Sequence, residues 1–143
     1  MSDAEPEMAL VLAEAIVAVD SGLKLMTLPC SAADRAATEL DLGVVRQVFA
    51  DRAYNDDGSL VSRREKGAVI HDAGFAADRI IGLLENGFIE SVNGNKLKMD
   101  IDTVVVLGDT EAAVQMTEAI RLRLENNGVR IKAFSKTKND DSK

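Results

Sequence analysis

Four times the chain passes from a helix-like stretch through a glycine into a short β-like run, and this recurrence constrains the fold most. Gly22 precedes Leu23–Leu28, Gly43 precedes Val44–Ala50, Gly87 precedes Phe88–Val92, and Gly128 precedes Val129–Phe134. Glycine just past a helix accepts the left-handed conformation without a Cβ clash, so it is a natural helix stop. Helices alternating with short β-branched runs predict an α/β chain of mostly parallel strands.

Each helix has a local reason to form. Pro6 suits a first turn and is followed by Ala, Leu, Val and Glu to Val19. Ser31 is a candidate N-cap for a helix over about Ala32–Leu40. A third is expected from about Ala73 to Asn86, with Ile80, Ile81 and Leu84 on one face. In the fourth, Ala113, Met116, Ile120 and Leu124 fall at helical spacing behind Asp109 or Thr110 as cap. Asn93-Gly94-Asn95 between two β-like runs predicts a hairpin joining Phe88–Val92 to Lys96–Met99. Thr103–Leu107 is continuously apolar, as expected of a strand buried on both faces. Residues 1–134 read as one unit, and the polar run 135–143 reads as a disordered tail.

Composition narrows the function classes. Lys+Arg 17 against Asp+Glu 24 gives a net charge of −7, which repels phosphate backbones, and 3% aromatics provide no base-stacking platform. Nucleic acid is therefore not an expected partner. The lone Cys30 excludes an internal disulfide and a thiolate zinc site, and after Pro29 it reads as a small buried apolar residue. His71, followed by Asp72, reads as a loop or capping residue and cannot form a multi-histidine metal site. The most apolar stretch, Met8 to Val19, falls short of the ~20 residues that cross a bilayer. The acidic start lacks the basic opening of a secretory signal, so the expected location is cytoplasmic.

In parallel α/β folds, sites gather at the carboxyl ends of strands. Two runs end in polar clusters there: Asp51, Arg52 and Tyr54 after Val48-Phe49-Ala50, and Gly108-Asp109 after Val104–Leu107. Asp51 could serve as a base or hold a cation, Arg52 could clamp a carboxylate or phosphate, and Asp109 could face the same crevice. Blander readings stand beside these: Asp109 as an N-cap, Asn55–Gly58 as a turn, and Asp51 and Arg52 as structural ion-pair members. No glycine-rich phosphate loop is present.

The run from Val48 to Arg63, VFADRAYNDDGSLVSR, is more specific. With Gly67-Ala-Val-Ile70 and Gly108-Asp109 following in order, it resembles the LamB/YcsF family over about Ala9 to Phe134. That resemblance implies a distorted α/β barrel of the deacetylase type, here a partial one of mostly parallel strands with surrounding helices. It also implies the A subunit of an ATP-dependent 5-oxoprolinase, which opens the lactam of pyroglutamate to glutamate with subunits B and C. By carry-over, Asp51 and Asp109 are expected to be catalytic, and Arg52, Tyr54 and Arg63 to bind substrate or phosphate; no metal ligand is assigned.

The chain departs from the family pattern in places. It resembles only the C-terminal part, without the Asp-rich first strand or the His-rich motif. Leu107 stands where the family has the His of His-Gly-Asp, and Gln47 stands where it has Glu. Leu cannot transfer a proton or ligate a metal, and Gln cannot be a carboxylate base. The expectation is thus an incomplete enzyme component whose missing half is a separate chain, or a homo-oligomer; the alternative is a non-catalytic relic or interaction module. An incomplete barrel would leave a sheet edge open to association.

Overall fold

A computed structural model describes residues 6–109 and 111–134. Helix α1 (Pro6–Val19) leads to strand β1 (Lys24–Thr27), helix α2 (Ala32–Glu39) and strand β2 (Gly43–Phe49). After a long connection come α3 (Ala73–Asn86), β3 (Phe88–Glu90), β4 (Lys96–Lys98), β5 (Thr103–Val105) and α4 (Ala113–Asn126). The α/β class with parallel strands is as expected. β1, β2 and β5 form a parallel sheet in that order, with Met26 opposite Val45 and Val48 opposite Val104. Among the described residues this sheet is open at both edges.

The helix ends follow from the caps. Ser31 Oγ accepts the Asp34 amide, and Asp72 Oδ1 accepts the Phe75 amide at 2.7 Å, so both helices start where side-chain oxygens replace missing backbone acceptors. Gly87 closes α3 at φ 77°, a conformation that penalises any Cβ. α1 and α2 pack through small residues, Ala9 and Ala13 against Ala32, Ala36 and Ala37, with Leu25 and Val44 of the sheet beside them. The main core joins Val48, Ala50 and Tyr54 to α3 (Ala76, Ala77, Ile80, Leu83) and α4 (Met116, Ile120, Leu124).

Several expectations need correction. Val129–Phe134 forms no strand; the Val129 amide folds back on the Leu124 carbonyl instead, and no strand pairs with this run among the described residues. The expected hairpin is present, with Phe88–Glu90 antiparallel to Lys96–Lys98 as the Asn-Gly turn requires, so this run stands outside the parallel sheet. β5 is three residues long and half-buried, because it lies at the sheet edge. Leu84 is exposed, and Leu83 takes the inward place on α3. Asp109 does not cap α4: the N-cap is Ala112, with no side-chain hydrogen bond. Thr110 and the expected tail, 135–143, lie outside the described residues. Cys30 is exposed, not buried, and sits at φ 59° in the turn before α2.

Candidate functional site

The parallel pairing of β2 with β5 sends Asp51 and Asp109 off the same edge of the sheet from adjacent strands. The connection after β2 then folds on itself. Ala53 donates its amide to the Ala68 carbonyl and accepts the Val61 amide, while the Asp51 carbonyl accepts the Ile70 amide at 2.8 Å. Isolated antiparallel bridges join Arg52 to Val69 and Tyr54 to Leu60. The backbone of segment 51–54 is therefore braced by hydrogen bonds on both sides although it lies in no named strand.

Asp51 and Arg52 are both buried, at 5% and 7% exposure. Arg52 Nη2 donates to the Val61 carbonyl at 2.7 Å. Asp51 Oδ1 and Arg52 Nε are buried without a hydrogen-bond partner. Orphaned buried polar atoms are rare because each forfeits its hydration, so they often mark a functional site. Neither residue is in an ion pair among the described residues.

Tyr54 has 0% exposure. Its hydroxyl accepts the Phe49 amide at 2.8 Å, the amide facing the side where β1 has already ended. Burial raises the Tyr54 pKa above the usual phenol value. An expected substrate contact through Tyr54 thus meets a ring closed off from solvent, whose role is to terminate β2. Arg63 and Asp109 meet instead at the surface: Arg63 Nη1 donates to Asp109 Oδ2 at 2.6 Å, and each side chain is about half exposed. The hydrogen bond from Arg63 holds the Asp109 carboxyl below its ordinary range, and the positive charge of Arg52 adds to this. Asp51 and Asp109 share an edge but make no contact with each other; one points inward, the other outward onto Arg63.

Sequence reasoning passes over Arg79. It reaches from α3 to donate Nη1 to the Ala50 carbonyl at 3.0 Å and the Arg52 carbonyl at 3.2 Å, spanning Asp51. A signal exists: Arg79 lies three residues after Ala76 and four before Leu83, on the buried stripe of α3. Asp34 escapes it too. This residue forms a two-point pair with Arg46, Nε to Oδ2 at 3.0 Å and Nη2 to Oδ1 at 2.9 Å, and also accepts the Cys30 amide. Among the described residues no three His, Cys, Asp or Glu side chains converge to hold a metal, and no helix is long and apolar enough to cross a membrane. His71 lies in the loop before α3, as expected.

Residues 1–139 match the LamB/YcsF family. The chain belongs to the LamB/YcsF family. It is 45% identical over 130 residues to the A subunit of 5-oxoprolinase from Nitrobacter hamburgensis, covering 91% of this chain and 51% of that protein. It is 39% identical over 135 residues to the Gluconobacter oxydans protein of the same name, covering 94% and 53%. The lactam utilization protein of Thermus thermophilus superposes with a TM-score of 0.81 at 32% identity, over 91% of this chain and 51% of that one. This LamB/YcsF chain spans about half the length of the curated relatives it matches. The segment Asp51–Arg63, with its self-braced connection, lies within the family match.

Proposed function

We propose that this chain contributes to the A subunit of an ATP-dependent 5-oxoprolinase that opens the lactam of 5-oxoproline to L-glutamate. The activity would require the remainder of the family fold, supplied by further polypeptide, together with subunits B and C. The observation that carries this reading is the likeness to proteins named as 5-oxoprolinase A subunits across nine-tenths of the chain. The orphaned Asp51 Oδ1 and Arg52 Nε beside the Arg63–Asp109 pair support it, since they put reactive polar groups on one sheet edge.

Amide hydrolysis needs a nucleophilic water and stabilisation of the developing oxyanion. Asp51 would orient that water, accept its proton at Oδ1 as the water oxygen bonds to the lactam carbon, and return a proton to the ring nitrogen as the C–N bond breaks. Arg52 Nε would face negative charge developing on the carbonyl oxygen. Arg63, whose guanidinium is half exposed, is of the donor type that grips phosphate oxygens, so it would meet the phosphate end of ATP. ATP, when bound, supplies the free energy of its own hydrolysis to ring opening. The proposed location is the cytoplasm, where ATP is available.

Leu107 favours a second reading. It is half-buried directly before Gly108-Asp109, and an alkyl side chain there contributes no proton transfer. On that reading the chain is a non-catalytic module of the same fold. Glutamate release from 5-oxoproline with ATP, assayed with subunits B and C and the complementary half of the Nitrobacter relative, separates the two. Release in the complete mixture is expected. A silent mixture, with the intact relative active under the same conditions, would leave the module reading. Release without the added half would overturn the view that this chain needs completing.

A further inference from the structure

A cleft of about 530 Å³ lies beside the candidate site, between α3, the β3–β4 hairpin and the braced connection. Ile70, Phe75, Phe88 and Val92 give its wall an apolar side, Asp78 and Glu90 place carboxylates in it, and its cation is Arg79. Phe75 and Val92 are more than half exposed, so the cleft opens to solvent. A guanidinium carries five N–H donors. Arg79 commits only Nη1, to the carbonyls of Ala50 and Arg52, which also fixes the orientation of the planar group. Among the described residues, Nε and Nη2 make no protein hydrogen bond and no carboxylate pairs with Arg79.

The charges around it do not fill that role. Asp78, on the same helix, is taken by Arg123 at 2.6 Å. Glu90 sits across the hairpin from Lys96, whose ammonium lies over the Phe88 ring. Burial lowers the Arg79 pKa, while Tyr54 and Asp51 oppose that shift. A half-buried cation fixed by neutral carbonyls, with no carboxylate bonded to it, gains most when an anion arrives to share its free N–H pair.

We propose that Arg79 is the carboxylate anchor of this cleft, which takes a small carboxylate on an apolar ring. The apolar side of the cleft favours such a ring, and the Asp78 and Glu90 carboxylates in its wall would repel the several negative charges of a polyphosphate more than a single carboxylate. Resting on the proposed function, the inference makes 5-oxoproline the matching ligand: its carboxylate on Arg79 and its ring against Phe75 and Ile70. The anchoring carbonyls of Ala50 and Arg52 flank Asp51 in the chain, so Arg79 ties this cleft to the segment of the candidate base, although Asp51 does not itself line it.

The test is binding, independent of turnover. The ¹⁵N-labelled full chain is titrated with cyclopentanecarboxylate, with L-5-oxoproline, and with the carboxamide of each. Both acids are expected to shift the amides of Phe75, Phe88 and Val92, and each carboxamide to bind about 10- to 100-fold more weakly, as loss of a charge-assisted contact predicts. Arg79→Met is expected to erase the preference for acid over amide, and Arg79→Lys to weaken it about tenfold. If the variants fail to fold, the acid–amide comparison on the unaltered chain still decides. Equal binding of acid and amide, no binding, or shifts confined to Arg63 and Asp109 would each overturn the inference. The last result would leave the proposed lactam hydrolysis standing, whereas binding at Phe75 with no glutamate release in the complete mixture would refute the activity alone.

Discussion

Tyr54→Phe removes one oxygen at the point where β2 stops pairing with β1. The ring is fully buried and its hydroxyl is the partner of the Phe49 amide at 2.8 Å. Phenylalanine fills the same space, so the change leaves almost no cavity and isolates the hydrogen bond. A partly buried amide left without an acceptor costs about 1–2 kcal/mol. For a chain of this length that lowers Tm by about 3–8 °C. Urea denaturation followed by far-UV circular dichroism measures it, with the midpoint expected to fall and the slope to stay unchanged. Glutamate release by a completed assembly should be unaltered, because a sealed ring cannot touch substrate. A second readout uses the fact that Tyr54 is the sole tyrosine. Its raised pKa means the native phenol stays neutral above about pH 10, where the unfolded phenol ionises. Burial of the neutral phenol thus contributes stability that is complete below that pH and is lost as pH rises toward the folded pKa. A stability change within about 0.3 kcal/mol, or a native phenol that titrates as a free one does, would refute the placement of Tyr54 in the core.

Three further outcomes are expected. Asp34→Asn breaks the two-point pair with Arg46 and should cost about 1–2 kcal/mol at pH 7, discounted because Arg46 is a third exposed. Burial raises the Asp34 pKa, but its hydrogen bonds from Arg46 and Cys30 outweigh that and lower it overall. Its contribution is therefore full above about pH 4 and is lost as pH falls through the depressed value, so the acid-side loss of stability should be smaller in the variant; equal acid limbs would contradict this. Arg63→Ala should leave the urea midpoint nearly unchanged, since the pair with Asp109 is half exposed, yet should cut turnover of a completed assembly at least tenfold; unchanged turnover would make the pair structural decoration only. Cys30 should react with a thiol reagent in the native state as fast as in denaturant, within about an order of magnitude, and protection of a thousandfold would place it inside after all.

Local rules were enough for the helices. Pro6, Ser31 and the apolar spacing of Ala113, Met116, Ile120 and Leu124 each act within a turn or two of chain, so the elements they set are readable in order. Asn93-Gly94 likewise dictated its hairpin, because a tight turn permits only antiparallel return. Val129–Phe134 had the composition of a strand but found no partner, and a strand exists only through pairing. The polar cluster after β2 was visible as residues; its division into a buried Asp51–Arg52 and a surface Arg63–Asp109 was not.

What the sequence alone determined, then, is helix placement, the parallel α/β class and the polar run 51–63, all consequences of short-range sterics and periodicity. Tertiary packing decided the rest. It set Tyr54 under the end of β2, brought Arg79 from a helix nearly thirty residues away to span Asp51, and paired Arg63 with Asp109 across 46 residues of chain. Contacts between residues so far apart in the chain leave no local signature, since their free energy depends on which surfaces the whole fold removes from water.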